Sequence, residues 1–142
     1  SLDLPGTKYV IGDGPARAGL ESSYPEAVFT GYKFGTELAA YMGAGDVFVF
    51  PSRTDTFGIV MLEAMACGLP VAAFPVTGPI DVVRDGATGI LRQDLGEAAM
   101  AALELDREVC RNEALAMSWP NATRQFFANL VPADPELSMQ PV

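Results

Sequence analysis

The chain has 142 residues, 49 % of them apolar and 19 % charged, which is one domain's worth with enough apolar side chains to bury a core. Lysine plus arginine number 9 against 18 aspartates and glutamates, a formal net charge of −9. So acidic a chain is a poor partner for a phosphate backbone or an anionic membrane, and no nucleic-acid role is expected.

Five short apolar runs alternate with helical segments along the chain. The runs are Lys8–Ile11, Ala27–Thr30, Val47–Phe50, Val71–Phe74 and the weaker Gly89–Leu91. They are continuously apolar rather than alternating, as strands covered on both faces are, and such strands belong to parallel sheets. Helices are predicted over Pro15–Tyr24, Thr36–Met42 with Thr36 as N-cap, Ile59–Cys67 and Ile80–Arg84. Ile59–Cys67 is apolar on every side except at Glu63, which predicts a buried helix, with Gly68 as its C′ residue. Beyond Gly89–Leu91 the chain becomes wholly helical: Glu97–Leu105, Arg107–Met117 and Asn121–Leu130. Residues 132–142, with Pro132, Pro135 and Pro141, read as a loose tail after a domain over 1–131. Strands alternating with helices predict an α/β fold, a doubly wound, Rossmann-like parallel sheet of about five strands with flanking helices and an all-helical C-terminal end.

There is no histidine, which removes Ser-His-Asp and Cys-His catalysis and every histidine-containing metal site from this chain. Cys67 and Cys110 are too few for a Cys₄ zinc site and read as reduced thiols of a cytoplasmic protein. The longest uncharged stretch, Ala64–Ile80, holds Pro70, Pro75 and Pro79, so no membrane span is expected. No basic-then-apolar leader is visible at the N-terminus.

In a doubly wound sheet the ligand crevice lies beyond the carboxyl ends of the strands, and every chemical motif of this chain falls there. The third run continues into Pro51-Ser52-Arg53-Thr54-Asp55-Thr56-Phe57-Gly58 and then the Glu63 helix. A helix N-terminus with a glycine before it suits a phosphate. A carboxylate inside an apolar helix is costly without partners, and a sugar diol would supply two donors to Glu63; a basic residue or a backbone N–H would serve as well. Asp55 is either an N-cap or an acceptor for a ligand hydroxyl. Gly12-Asp13-Gly14-Pro15 and Thr77-Gly78-Pro79 are either tight turns or phosphate-facing loops.

Taken together these stretches resemble a known family. The Pro51–Gly58 loop, the Glu63-Ala64-Met65-Ala66 helix and Gly68-Leu69-Pro70-Val71 look like the signature of retaining, nucleotide-sugar-dependent glycosyltransferases of the GT-B fold, family 4, "glycosyl transferases group 1". Gly12-Asp13-Gly14-Pro15 is similar to the family's Gly-x-Gly-Pro loop. Asp46–Ser52 is similar to its strand ending in Pro-Ser, and Ser118-Trp119 to Phe127 resembles its closing helix. The resemblance implies the C-terminal, donor-binding domain, with its first strand and helix absent. Glu63 aligns with the second acid of a Glu-x₇-Glu motif and would hold the ribose. Asp55, one methylene shorter than the usual Glu, stands for the first and would contact the donor sugar. Thr56, Phe57, Gly58 and Ile59 would lie against sugar and phosphate, Gly12 and Gly14 would face the diphosphate, and Tyr32 and Lys33 would sit where the base binds. Arg53 and Gly78 fall on the phosphate side. Thr77–Asp81 departs from the commoner Gly-Gly-x-x-Glu.

The implied activity is transfer of a hexose from a nucleoside diphosphate sugar to an acceptor with retention. No metal is expected, since the chain has no Asp-x-Asp motif. No catalytic residue is assignable here, because the acceptor side and any general base fall to a missing N-terminal acceptor domain. A parent at the inner face of the membrane is one setting the family implies. The rival reading is a non-catalytic fragment or weak nucleotide-binding module. A GT-B epimerase or phosphorylase fits worse, with no histidine and no lysine near Asp55 and Glu63 except Lys33. In a 3-2-1-4-5-6 sheet the absent strand is the central one. Its absence leaves the Lys8–Ile11 and Val47–Phe50 strands to pair with each other, to self-associate through an exposed sheet edge, or to destabilise the domain.

Overall fold

The computed structural model describes residues 3–54 and 56–131. The elements run β1 (Tyr9–Ile11), α1 (Arg17–Ser23), β2 (Val28–Gly31), α2 (Gly35–Ala44), β3 (Phe48–Phe50), α3 (Ile59–Ala66), β4 (Val71–Ala73), α4 (Pro79–Val82), β5 (Gly89–Leu91), α5 (Leu95–Ala102), α6 (Arg107–Ala116) and α7 (Trp119–Ala128). Among the described residues every pairing of these strands is parallel, and three consecutive helices come last. The five strands form two sheets rather than one, β1-β2 and β3-β4-β5. Residues 132–142, the expected tail, lie outside the described residues.

β1 and β3 do not pair with each other, so direct closure of the sheet is not how this chain meets its open edges. The expectation of strands covered on both faces holds for one sheet only. All of β4 is buried, whereas Tyr9, Val10 and Ile11 of β1 are 57 %, 40 % and 36 % exposed. Continuous apolarity in sequence does not say whether a covering layer is present.

The core gathers around α3. Leu62, Ala64, Met65 and Ala66 are good helix formers, and the helix ends in a motif its glycine permits. Gly68 takes φ +79°, its N–H bonds the Met65 carbonyl at 2.8 Å, and the Leu69 N–H bonds that of Ala64 at 3.0 Å. Met61, Ala64 and Met65, spaced i, i+3 and i+4, are fully buried. Met61 and Met65 join Phe50, Val71, Ala73, Val82, Val83 and Cys110 in one cluster. A second cluster sets Ala98, Ala99 and Ala102 of α5 against Ala72 and Ile90, small residues letting the helix sit close on the sheet. The prediction of a wholly buried α3 is corrected: Ile59 and Glu63, one turn apart, are exposed on a face that nothing covers. Thr36 is not an N-cap either; it lies inside α2, whose N-cap position is Phe34.

α6 fastens the far ends of two helices. Arg107 donates to the carbonyls of Gly45, the C-cap of α2, and Gly43, in its last turn, at 2.8 and 3.1 Å, and Arg111 donates to Ala66 at the end of α3. Orphan carbonyls at helix C-termini need such donors. Arg107→Ala is expected to lower stability by about 1 kcal/mol, the net worth of a typical hydrogen bond, read as a shift of the urea midpoint at unchanged m-value. An unmoved midpoint would show these contacts to be neutral. α5 and α6 start on Asp94 and Asp106, whose carboxylates accept from the amides of Gly96, Glu97 and Glu108. α7 has no buried residue.

Candidate functional site

The loops expected to bind a ligand all leave carboxyl ends of strands, and they fall into two groups, one on each sheet. The first joins the loop after β1 to the loop after β2. The Gly12 N–H donates to the Gly31 carbonyl at 2.9 Å, and the Tyr32 hydroxyl donates to the Asp13 carbonyl at 3.1 Å. Gly12, Gly14 and Tyr32, separate in sequence, are thereby brought together. Lys33 is turned away: its ammonium pairs with Glu37 and lies 5.2 Å over the Tyr41 ring, and Glu37 pushes its pKa up. Tyr32 and Phe34 remain exposed, stacked at 6.0 Å between centroids.

The organising side chain of this group is one that sequence reasoning missed. Arg17 donates to Glu21 at 2.7 Å, to the Asp13 carboxylate at 2.9 Å and to the Phe29 carbonyl at 3.3 Å. Glu21 foremost, then Asp13, raises the arginine's pKa. The Gly14 N–H, and after it Arg17, holds the Asp13 carboxyl below its ordinary value. The signal was present as Asp13, Arg17 and Glu21 at i, i+4 and i+8. A groove of about 320 Å³ opens here, lined among others by Ile11, Gly12, Asp13, Gly14, Arg17 and Phe29.

The second group is the loop from β3 into α3. Asp55 lies outside the described residues. Thr56 and Phe57 are exposed, and Gly58 adopts φ +76°, ψ 55° before the first helical residue. A Cβ at Gly58 would stand 2.3 Å from Met61 Cε, the far end of a flexible side chain, so it is the positive φ that calls for glycine here. The amides of Ile59 and Val60 have no acceptor among the described residues, as the first turn of an uncapped helix should. The Glu63 carboxylate makes no hydrogen bond or ion pair among the described residues, while its backbone carbonyl accepts from the Cys67 N–H at 3.2 Å. The basic or backbone partner considered for it is not found among the described residues, and its exposure removes the cost of burial that the sequence suggested.

Arg53 spans away from this loop, its guanidinium 3.7 Å over the Phe74 ring and bonded to Gln93 at 3.4 Å. Gly78 is buried, and its N–H already donates to the Asp81 carboxylate at 3.3 Å, which leaves that amide engaged within its own turn. Among the described residues the arrangement offers amides without an acceptor at the start of α3, an exposed carboxylate one turn further on, and a glycine loop with an exposed aromatic pair on the other sheet. Those are groups that bind phosphates, hydroxyls and a flat ring.

Parallel strands with helices between them, and the loops of the candidate site at their carboxyl ends, define a Rossmann-like fold. The family profile described as "Glycosyl transferases group 1" matches residues 7–107, and the chain belongs to that family. It is 40 % identical over 121 residues to a GDP-mannose-dependent α-mannosyltransferase of Mycobacterium tuberculosis, covering 78 % of this chain and 32 % of the relative. It is 46 % identical over 86 residues to a sulfoquinovosyl transferase of Arabidopsis thaliana, 57 % of this chain and 17 % of that one. The chain thus spans a third or less of the length of these relatives. Among solved structures, the pneumococcal O-GlcNAc transferase GtfA with UDP and GlcNAc superposes with TM-score 0.68 at 19 % identity, over 86 % of this chain and 28 % of that one. HepE of Anabaena with UDP-glucose gives 0.68 at 21 %, over 91 % and 43 %. At such identities the likeness is one of fold.

Proposed function

We propose that this chain is the donor-binding domain, over residues 1–131, of a glycosyltransferase that moves a hexose from a nucleoside diphosphate sugar to an acceptor with retention. The open face of α3 carries the reading: amides without an acceptor among the described residues after an αL glycine, with the Glu63 carboxylate likewise unpartnered among them one turn beyond. Glu63 accepts the ribose hydroxyls, Asp55 takes a hydroxyl of the donor sugar, and the backbone of Thr56–Ile59 lies along sugar and phosphate. Gly12, Gly14 and Tyr32 line the nucleotide's other side. Lys33, held by Glu37, must leave that ion pair to reach the base. Gly78 would have to release Asp81 to contact phosphate.

Charge that builds on the leaving diphosphate is met by helix N-terminal amides, which are pre-aimed dipoles, without a metal ion. The acceptor is bound by another domain of the parent, so the chain alone binds donor without turning it over. Cytoplasmic action suits two unpaired cysteines. Among the described residues no helix is long and apolar enough to cross a membrane.

Isothermal titration of the chain with GDP-mannose, GDP, UDP and ADP tests the reading. The GDP series comes first because relatives at 40 % and 39 % identity are named for GDP-mannose. Saturable binding of one nucleotide supports it. A folded chain that binds none makes it a non-catalytic module, the alternative.

Among the described residues β1 and β3 each keep an unpaired edge, which favours a second element of the reading: two copies associate through them. Exposed Tyr9, Val10 and Val28 beside an open edge are what a pairing strand covers. Sedimentation should show mass rising with concentration, and Val10→Lys should hold the chain monomeric. A monomer at all concentrations rejects it.

A further inference from the structure

The parallel pairing of β1 and β2 carries an irregularity beside the candidate site. Val10 pairs with Phe29 and Ile11 with Gly31, so Thr30 is an extra residue on β2. Such a bulge bends its strand and re-aims the residues that follow. Here they are Gly31 and Tyr32, and the Tyr32 hydroxyl reaches back to the Asp13 carbonyl at 3.1 Å. Arg17, the first residue of α1, is bonded both to the loop after β1 and to β2 itself. It donates to the Asp13 carboxylate at 2.9 Å and to the carbonyl of Phe29, the residue before the extra one, at 3.3 Å. Gly31 is buried, and a Cβ there would stand 3.1 Å from Arg17 Nη1, so the guanidinium lies against the strand's own backbone. Glu21, one turn along α1, accepts from Arg17 Nε at 2.7 Å and fixes the plane of the fork. One cation between two carboxylates leaves a net negative charge, the wrong sign for holding a diphosphate.

We propose that Arg17 is a positioning residue: it locks the bulged end of β2 to the Gly12–Gly14 loop, and so aims the Tyr32 ring at the nucleotide without touching the ligand itself. This rests on the donor-binding reading, in which Gly12, Gly14 and Tyr32 line one side of the nucleotide. An arginine suits the task because its planar fork meets three acceptors at once in fixed directions, which the point charge of a lysine does not. The three acceptors belong to a loop, a helix and a strand, so the guanidinium ties all of them together. The Gly12 N–H, which donates to the Gly31 carbonyl at 2.9 Å, joins the same two segments and reports whether they stay together.

The test is amide hydrogen exchange on the intact chain, with nucleotide titration beside it. Arg17→Ala should speed exchange of the Gly12 amide by about tenfold while the amides of α5 stay as protected as before. Nucleotide affinity should fall by about tenfold in the same variant, and Arg17→Lys should not restore it. Glu21→Gln separates positioning from charge. It removes a negative charge near a polyanion, which by electrostatics alone strengthens binding, whereas loosening Arg17 weakens it. A loss of affinity with faster Gly12 exchange is therefore expected, and this exposed change keeps the test open where Arg17→Ala does not fold. Tyr32→Ala should cost less affinity in the Arg17→Ala chain than in the parent chain, because the ring is already unaimed there. The proposal is overturned if Gly12 exchange is unmoved in both Arg17→Ala and Glu21→Gln. It is equally overturned if Glu21→Gln binds nucleotide as tightly as the parent chain or tighter, or if Arg17→Lys restores affinity, which is the pattern of a phosphate ligand. Simple addition of the Arg17→Ala and Tyr32→Ala losses overturns it too, since Arg17 then does not act through Tyr32. A parent chain that binds no nucleotide sinks the donor-binding reading instead, and Gly12 exchange still decides whether Arg17 locks the two loops together.

Discussion

Glu63→Ala is expected to remove nucleotide binding from this chain, weakening it by at least about tenfold. Two ribose hydroxyls donating to one carboxylate are charge-assisted hydrogen bonds, each worth roughly 1.5–3 kcal/mol, and 1.4 kcal/mol is a factor of ten. The side chain is exposed and bound to nothing among the described residues, so its removal has no structural debt to settle. The urea midpoint should stay within about 0.5 kcal/mol of the parent chain, as surface changes usually do. That separation makes the experiment decisive: affinity falls while stability holds. Glu63→Gln should sit between, since an amide oxygen still accepts but without charge. If titration gives the same affinity for Glu63→Ala as for the parent chain, the ribose is held elsewhere, and the open face of α3 loses its assigned role.

The opposite behaviour is expected half a turn away. Met65 is fully buried, in the cluster with Phe50, Val71, Ala73, Val82, Val83 and Cys110. Met65→Ala removes most of that side chain from a site surrounded on all sides, at a cost of about 2–5 kcal/mol for transfer and cavity together. For one domain of this size that is a large share of the whole stability, about 5–15 kcal/mol. The urea midpoint should drop steeply, and nucleotide binding should fail only in proportion to the unfolded fraction. A loss below about 1 kcal/mol would mean that α3 is not the centre of the core. Glu63 and Met65, two positions apart on one helix, thus divide the protein's two tasks: one is free because the other is not.

How much of this was legible beforehand follows from the range of each interaction. Each predicted strand and helix is present, within about three residues at its ends, because apolar runs, glycine stops and proline placement act over a few residues. Gly68 as the end of α3 was readable for the same reason: a helix followed by Gly-Leu-Pro has one inexpensive way to stop. The family, too, was legible, since the Pro51–Val71 block carries its signature in linear order, and the match over residues 7–107 bears that out.

The errors share another cause. Thr36 looked like an N-cap because the residue type suits one, but α2 starts at Gly35 with its N-cap position at Phe34, two residues earlier. Glu63 looked like a buried charge because composition alone cannot tell which side of an apolar helix has a neighbour. Arg17, Asp13 and Glu21 showed their spacing, but the carbonyl of Phe29, twelve residues on, completes the cluster and is visible only in the fold.

The sequence by itself determined the order and kind of the elements, the turns that end them and the family to which they belong, because those depend on neighbours along the chain. Only the tertiary structure decided that the strands form two sheets, that β1 is left exposed, that Lys33 folds back on Glu37, and that Arg53 reaches Phe74 and Gln93. These are contacts between residues far apart in the chain. Whether a side chain finds a partner there depends on what the packing of whole elements brings within reach.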